Sequence, residues 1–172
     1  MIHAYIGSGK GKTTASIGLA VRAKGAGKSV VFVMFDKGSD SYAHNEINSF
    51  KKLGIDCYVF GFERMNSEGK FRFGVTSEDI LEAQRGIKKA ESLLKMYDVI
   101  VLDELLSAVS YGLIDKRLVN KLLDNVPENV ELVLTGRCED QELLQKPDLI
   151  TEMVKRRHYF DKGVKAREGI EY

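Results

Sequence analysis

The sequence contains no tryptophan, two prolines, two cysteines and three histidines among 172 residues. Each scarcity closes off a class of chemistry. Cys57 and Cys138 stand far apart with no C-x-x-C spacing, which excludes a zinc-ribbon pattern and a disulfide framework and predicts two small buried or half-buried side chains. His3, His44 and His158 are equally scattered, so no metal site made of protein side chains alone is expected. An excess of one charge is missing as well: 26 Lys and Arg stand against 25 Asp and Glu, leaving no global field that would favour nucleic acid or an anionic membrane as partner. No apolar run approaches the roughly 20 residues that span a bilayer. The first residues do not form a basic, apolar, small-residue signal, so a cytoplasmic protein is expected. The length suits one nucleotide-binding domain over residues 1–172. There is also no serine elbow, no Cys/His pair and no isolated carboxylate pair, so no conventional general base stands out.

Glycine is not scarce, and its placement is informative. The stretch Gly7-Ser8-Gly9-Lys10-Gly11-Lys12-Thr13-Thr14 lies between an apolar run and a helix-like segment. Alternate glycines let the backbone curl without Cβ clashes, so successive N–H groups can face phosphate oxygens, and the following helix adds its positive end. In such a loop Gly7 through Thr14 cradle a polyphosphate, Lys12 supplies a point charge and Thr13 offers a hydroxyl to Mg²⁺. The standard spacing G-x-x-x-x-G-K-[ST] requires glycine at position 6, where the chain has Ile6, and the nearest glycine is Gly7. The loop is therefore contracted by one residue and carries an extra cation, Lys10, which predicts a different wrap around a nucleotide.

Apolar runs alternate with longer amphipathic stretches along the rest of the chain. Strands are predicted over 2–6, 29–35, 57–60, 99–102, 130–134 and 149–152. Helices are predicted over 12–26, 42–53, 77–96, 104–110 with 115–125, and 139–145, the third opening on Ser77 as N-cap. This order predicts an α/β fold of the P-loop (RecA-like) kind, a mostly parallel sheet with helices on both faces. The second and fourth strands are apolar on consecutive residues, as central strands are. Ligands in open α/β sheets gather at the carboxyl ends of strands, and the marked residues fall there. Asp103 and Glu104 end the fourth strand, where either carboxylate can hold Mg²⁺ beside the glycine loop. Arg137, at the end of the fifth, has a guanidinium suited to phosphate, with a surface salt bridge as the plainer alternative. Lys37 after the second strand is open to the same two readings. Residues 61–76, which include Phe62, Phe71 and Phe73, show no clear period.

Taken together, these residues resemble the P-loop ATP:cob(I)alamin (corrinoid) adenosyltransferases. The contracted loop is matched in order and spacing by Val101-Leu102-Asp103-Glu104-Leu105, by Leu134-Thr135-Gly136-Arg137, and by a tail running from Asp148 through His158, Phe160, Gly163, Ala166 and Gly169-Ile170-Glu171-Tyr172. The resemblance implies an enzyme that transfers the 5′-deoxyadenosyl group of ATP to the cobalt of a reduced corrinoid and releases triphosphate. Co(I) is itself a strong nucleophile, so no protein base is needed. It further implies that Lys12 is the central cation, that Lys10 adds charge for the leaving group, and that Thr13 with Asp103 or Glu104 surrounds Mg²⁺. Phe62 fits a position whose bulky side chain displaces the lower cobalt ligand. The tryptophan that accompanies it in relatives has no counterpart; Arg64 lies near that place, and Met65, Phe71 or Phe73 are candidates to seal the lower face. Some relatives carry a helical segment before the first strand, and its lack here implies a more open corrinoid site. A homodimer and an electron-donating flavoprotein partner are implied as well. Two other functions compete: a P-loop kinase or ATPase acting on the γ-phosphate, and a nucleotide-gated corrinoid carrier.

Overall fold

A computed structural model describes residues 1–38, 44–62, 72 and 74–172. Six strands, β1 (Ile2–Ile6), β2 (Val30–Phe35), β3 (Asp56–Phe60), β4 (Val99–Asp103), β5 (Glu131–Thr135) and β6 (Leu149–Glu152), form one sheet in the order β3-β2-β4-β5-β1-β6. Every pairing is parallel. The helices α1 (Lys12–Gly25), α2 (Asn45–Leu53), α3 (Ser77–Leu93), α4 (Leu105–Ser110) and α5 (Lys116–Asp124) provide the crossovers.

Strand periodicity divides the core between the two faces. On β2, Val31, Val33 and Phe35 pack with Ala83, Ile87 and Ala90 of α3 and with Val119 and Leu122 of α5, while Val30, Phe32 and Met34 pack with Ala20 of α1 and Phe50 of α2. On β4, Ile100 and Leu102 join the first group and Val99 and Val101 the second. Alternation by two is what a strand covered on both sides requires, and every residue of β2 and β4 is buried. The expected α/β architecture with helices on both faces is therefore the one observed. Edge strand β6 is exposed along its whole length.

Several helix boundaries differ from the sequence expectation. Helix α3 starts at Ser77 as expected and ends at Leu93, but its N-cap is Thr76 rather than Ser77: the Thr76 hydroxyl accepts from the Asp79 amide while the Asp79 carboxylate accepts from the Thr76 amide, a reciprocal capping box. The helix expected over 139–145 reduces to a single 3₁₀ turn, Leu143–Gln145. There the Asp140 carboxylate takes the amides of Glu142 and Leu143, a local bond that competes with helix formation. Glu104 precedes α4 as its N-cap, with φ 57°. The second helix begins at Asn45, and positions 42 and 43 of the expected segment lie outside the described residues.

Candidate active site

The loop between β1 and α1 sits against the start of the segment after β6. The Gly9 amide donates to the Met153 carbonyl at 2.7 Å. A Cβ at Gly7 or Gly9 would lie 2.5 or 2.7 Å from that same oxygen, so the backbone approaches more closely than any side chain permits. Helix α1 starts from Gly11 with no side-chain cap and no acid in its first turn. Its first N–H groups and the positive end of its dipole are thus left for an external anion.

Lys12 arches back over the loop and donates from Nζ to the carbonyls of Gly7 and Gly9, both at 2.9 Å. Burial lowers its pKa, with the Arg137 charge pushing the same way and Glu104 and Asp103 opposing. Arg137 is thus brought to the same end of the sheet. Its amide donates to Ser107 Oγ and its carbonyl accepts from Ser110 Oγ, both at 2.8 Å, while its side chain stands exposed.

The acids at the end of β4 differ in surroundings. Asp103 has no solvent exposure; its Oδ1 accepts from the Thr13 hydroxyl at 2.9 Å and from the Thr135 hydroxyl at 2.7 Å, and Lys37 Nζ donates to Oδ2. Lys37 therefore serves as the half-buried counter-ion of the buried Asp103, the ion-pair alternative to a phosphate contact. Glu104 is turned into the cavity by its left-handed backbone, and its amide donates to Thr135 Oγ1 at 2.9 Å. Among the described residues the only non-glycine positions with positive φ are Asp36 and Glu104, at the ends of adjacent strands β2 and β4; such conformations concentrate at functional sites.

A cavity of about 250 Å³ joins these parts, lined by residues 10–14 of the loop, by Glu104, and by His158, Ile170 and Glu171 of the carboxy-terminal segment. Lys10 is on its wall, with its ammonium turned to that segment. The hydroxyl of Thr13 and the carboxylates of Asp103 and Glu104 are hard oxygen donors of the kind a divalent cation takes. Among the described residues no group of three or more Asp, Glu, His or Cys is placed to hold a metal ion.

Phe62, 47% exposed at the end of β3, lies elsewhere, on a cavity of about 390 Å³ shared with Arg72, Thr76, Glu78 and Asp79. Arg64, Met65, Phe71 and Phe73 are outside the described residues. Both cysteines are half-buried free thiols, and burial pushes Cys57 up to about 12, which suits packing and not nucleophilic attack. The role of Thr135 as a third support for the β4 acids was not read from the sequence. Its only local signal is a hydroxyl at the end of an apolar strand.

Comparison with known proteins adds an independent line. The family model described as ATP:corrinoid adenosyltransferase BtuR/CobO/CobP matches residues 1–172. The chain is 35% identical over 177 residues to the corrinoid adenosyltransferase CobA of Salmonella typhimurium, covering 100% of this chain and 85% of that protein. It is 34% identical over 176 residues to the corrinoid adenosyltransferase of Escherichia coli (strain K12), with the same coverage. A corrinoid adenosyltransferase of Pseudomonas aeruginosa is 32% identical over 174 residues, covering 100% of this chain and 82% of the relative.

Proposed function

The chain belongs to the ATP:corrinoid adenosyltransferase family, and from that premise we propose how its residues divide the work. The enzyme transfers the 5′-deoxyadenosyl group of ATP to the cobalt of a reduced corrinoid. A Co–C5′ bond forms, the C5′–O bond breaks, and its electron pair leaves with the triphosphate. Neither a γ-phosphate-directed kinase or ATPase nor a corrinoid carrier finds support among the relatives.

The observation that carries the residue assignment is the contracted loop at the uncapped start of α1, with Lys12 arched over it. Residues Gly7, Ser8, Gly11, Thr13 and Thr14 cradle the triphosphate with their amides, Gly9 holds the loop in shape through its bond to the Met153 carbonyl, Lys12 is the cation nearest the chain of phosphates, and Arg137 reaches it from the end of β5. A leaving group that carries several negative charges is stabilised most by fixed donors and cations already in place before the bond breaks. The nucleophile is the metal of the substrate, so the transfer calls for no side chain acting as a base.

Mg²⁺ fits the donor set of Thr13 with Asp103 or Glu104. Its chemistry when bound is to offset the developing charge of the triphosphate. The Lys37 contact on Oδ2 keeps Asp103 fixed so that Oδ1 faces Thr13, while Glu104 is the carboxylate that lines the cavity. Phe62, solvent-exposed at the end of β3, occludes the lower face of the corrinoid. An electron-donating flavoprotein supplies the reduced cobalt, and the enzyme works as a cytoplasmic homodimer. No helix among the described residues is long and apolar enough to cross a membrane, and the uncovered edge strand β6, with Leu149 and Ile150 exposed, offers a surface for a second copy.

Lys12→Ala tests the loop. We expect loss of inorganic triphosphate binding by about 100-fold or more in calorimetry, the scale of a charge-assisted contact removed from a partly buried site. Binding within about threefold of the parent protein would reject the loop as the triphosphate site.

A further inference from the structure

Lys10 is the second cation of the phosphate loop, yet its hydrogen bonds run away from that loop. A lysine ammonium has three donors, and all three are taken by the carboxy-terminal segment: the Ile170 carbonyl at 2.8 Å, Glu171 Oε1 at 2.7 Å and the Tyr159 hydroxyl at 3.2 Å. Glu171 is the hub of this contact. Its Oε2 accepts from the Arg167 amide at 2.8 Å and from Arg167 Nε at 3.2 Å, and its Oε1 also accepts from the Tyr159 hydroxyl. The Arg167 guanidinium lies 4.8 Å from the centre of the Tyr159 ring. The Glu171 side chain is 18% exposed.

This is more than a surface ion pair, because the segment so held supplies part of the cavity wall. His158, Ile170 and Glu171 line the cavity opposite the loop residues, and Lys10 joins the two sides across a sequence separation of 160 residues. The charges of the cluster, Lys10 and Arg167 against Glu171, leave one net positive charge. The carboxylate is thus doubly countered and does not present an uncompensated anion to the phosphates.

We propose that Glu171 is a positioning residue that docks the carboxy-terminal segment through Lys10 as one wall of the triphosphate cavity, leaving Lys12 to grip the phosphates. Lys10 is then a latch for the tail. This inference rests on reading the loop as the triphosphate site. The opposing possibility is that Glu171 merely occupies a cation meant for phosphate, in which case removing its charge would free Lys10 and tighten binding.

The two are separated by Glu171→Gln, Lys10→Ala and the double variant, each in the full chain. Amide hydrogen exchange is followed without nucleotide, and inorganic triphosphate binding is measured by calorimetry. We expect the amides of Ile170 and Glu171, which donate to the Arg167 carbonyl at 3.2 and 2.9 Å, to exchange roughly fivefold faster in each single variant, the upper range for a partly exposed ion pair. The double variant should be no faster than either single one, because both remove the same latch. Triphosphate should bind more weakly to Glu171→Gln than to the parent. Unchanged exchange in Glu171→Gln would overturn the proposal, as would tighter triphosphate binding in that variant. Failure of the parent protein to bind triphosphate would instead sink the loop assignment, and the exchange measurements would still decide the docking.

Discussion

Replacing Lys37 with methionine keeps most of the apolar stem of the side chain while deleting the cation beside Asp103. In the parent protein Lys37 Nζ donates to Asp103 Oδ2, and the two hydroxyls of Thr13 and Thr135 both serve Oδ1. The variant therefore keeps the donors of one carboxylate oxygen and removes the ion-pair partner of the other, within a side chain that has no solvent exposure. Breaking a buried pair from one side costs about 3–5 kcal/mol. Because the Lys37 side chain is 17% exposed, water can partly replace it, and we expect the lower end, about 3 kcal/mol. For a chain of this size that is a fall in Tm of about 6–12 °C. Asp103→Asn in the Lys37→Met background should recover part of the loss, since no uncompensated charge is then buried. The pH dependence has a definite sign. Lys37 is raised above the ordinary lysine value: burial, the largest influence, lowers it, but the attraction of Asp103 and the hydrogen bond to it outweigh burial. Its contribution is thus fully present below the unfolded lysine pKa and is lost only as pH rises through the folded value, above about pH 10. The gap between variant and parent should be constant from pH 6 to 9. Urea unfolding followed by circular dichroism measures it; a loss below about 0.5 kcal/mol, or a gap that closes near neutral pH, would refute the argument.

Three further substitutions probe the loop, the first helix and the corrinoid side. Gly9→Ala should destabilise by about 1–3 kcal/mol and weaken triphosphate binding, because the new methyl would sit 2.7 Å from the Met153 carbonyl oxygen. Gly18→Ala, on α1 where a Cβ meets nothing within 4 Å, should instead stabilise by about 0.5–1 kcal/mol; thermal melts of both variants check the contrast. Phe62→Ala should slow turnover with Co(II) corrinoid plus a reductant by at least about tenfold while sparing turnover with chemically prepared Co(I). Equal losses with both, measured from the absorbance of the product, would reject ligand exclusion as its role.

The parts of the fold that could be read from the sequence are those governed by local pattern. Strands β2 and β4 are continuous apolar runs, and their central position follows from that alone. The glycine loop after β1 and the acids Asp103 and Glu104 at the end of β4 fall at carboxyl strand ends, where a parallel sheet collects ligands. Where the reading failed, a side chain competed with the backbone at short range: Asp140 took amides that a helix over 139–145 needed, and Thr76 displaced Ser77 as cap. Long-range pairing was not legible at all. Lys37 finds Asp103 across 66 residues and Lys10 finds Glu171 across 161, and neither spacing carries a periodic signal. Residues such as Thr135 become functional only through the strand order, which sets β5 beside β4.

The central claim is that this loop keeps the three phosphates together and gives up carbon, not phosphorus, to the nucleophile. It is tested most directly by incubating the protein with ATP, Mg²⁺ and chemically reduced cobalamin without oxygen and identifying both products. The account predicts inorganic triphosphate by phosphorus-31 resonance, together with an equal amount of corrinoid carrying a light-sensitive Co–C bond. ADP with orthophosphate, and no such bond, would contradict it.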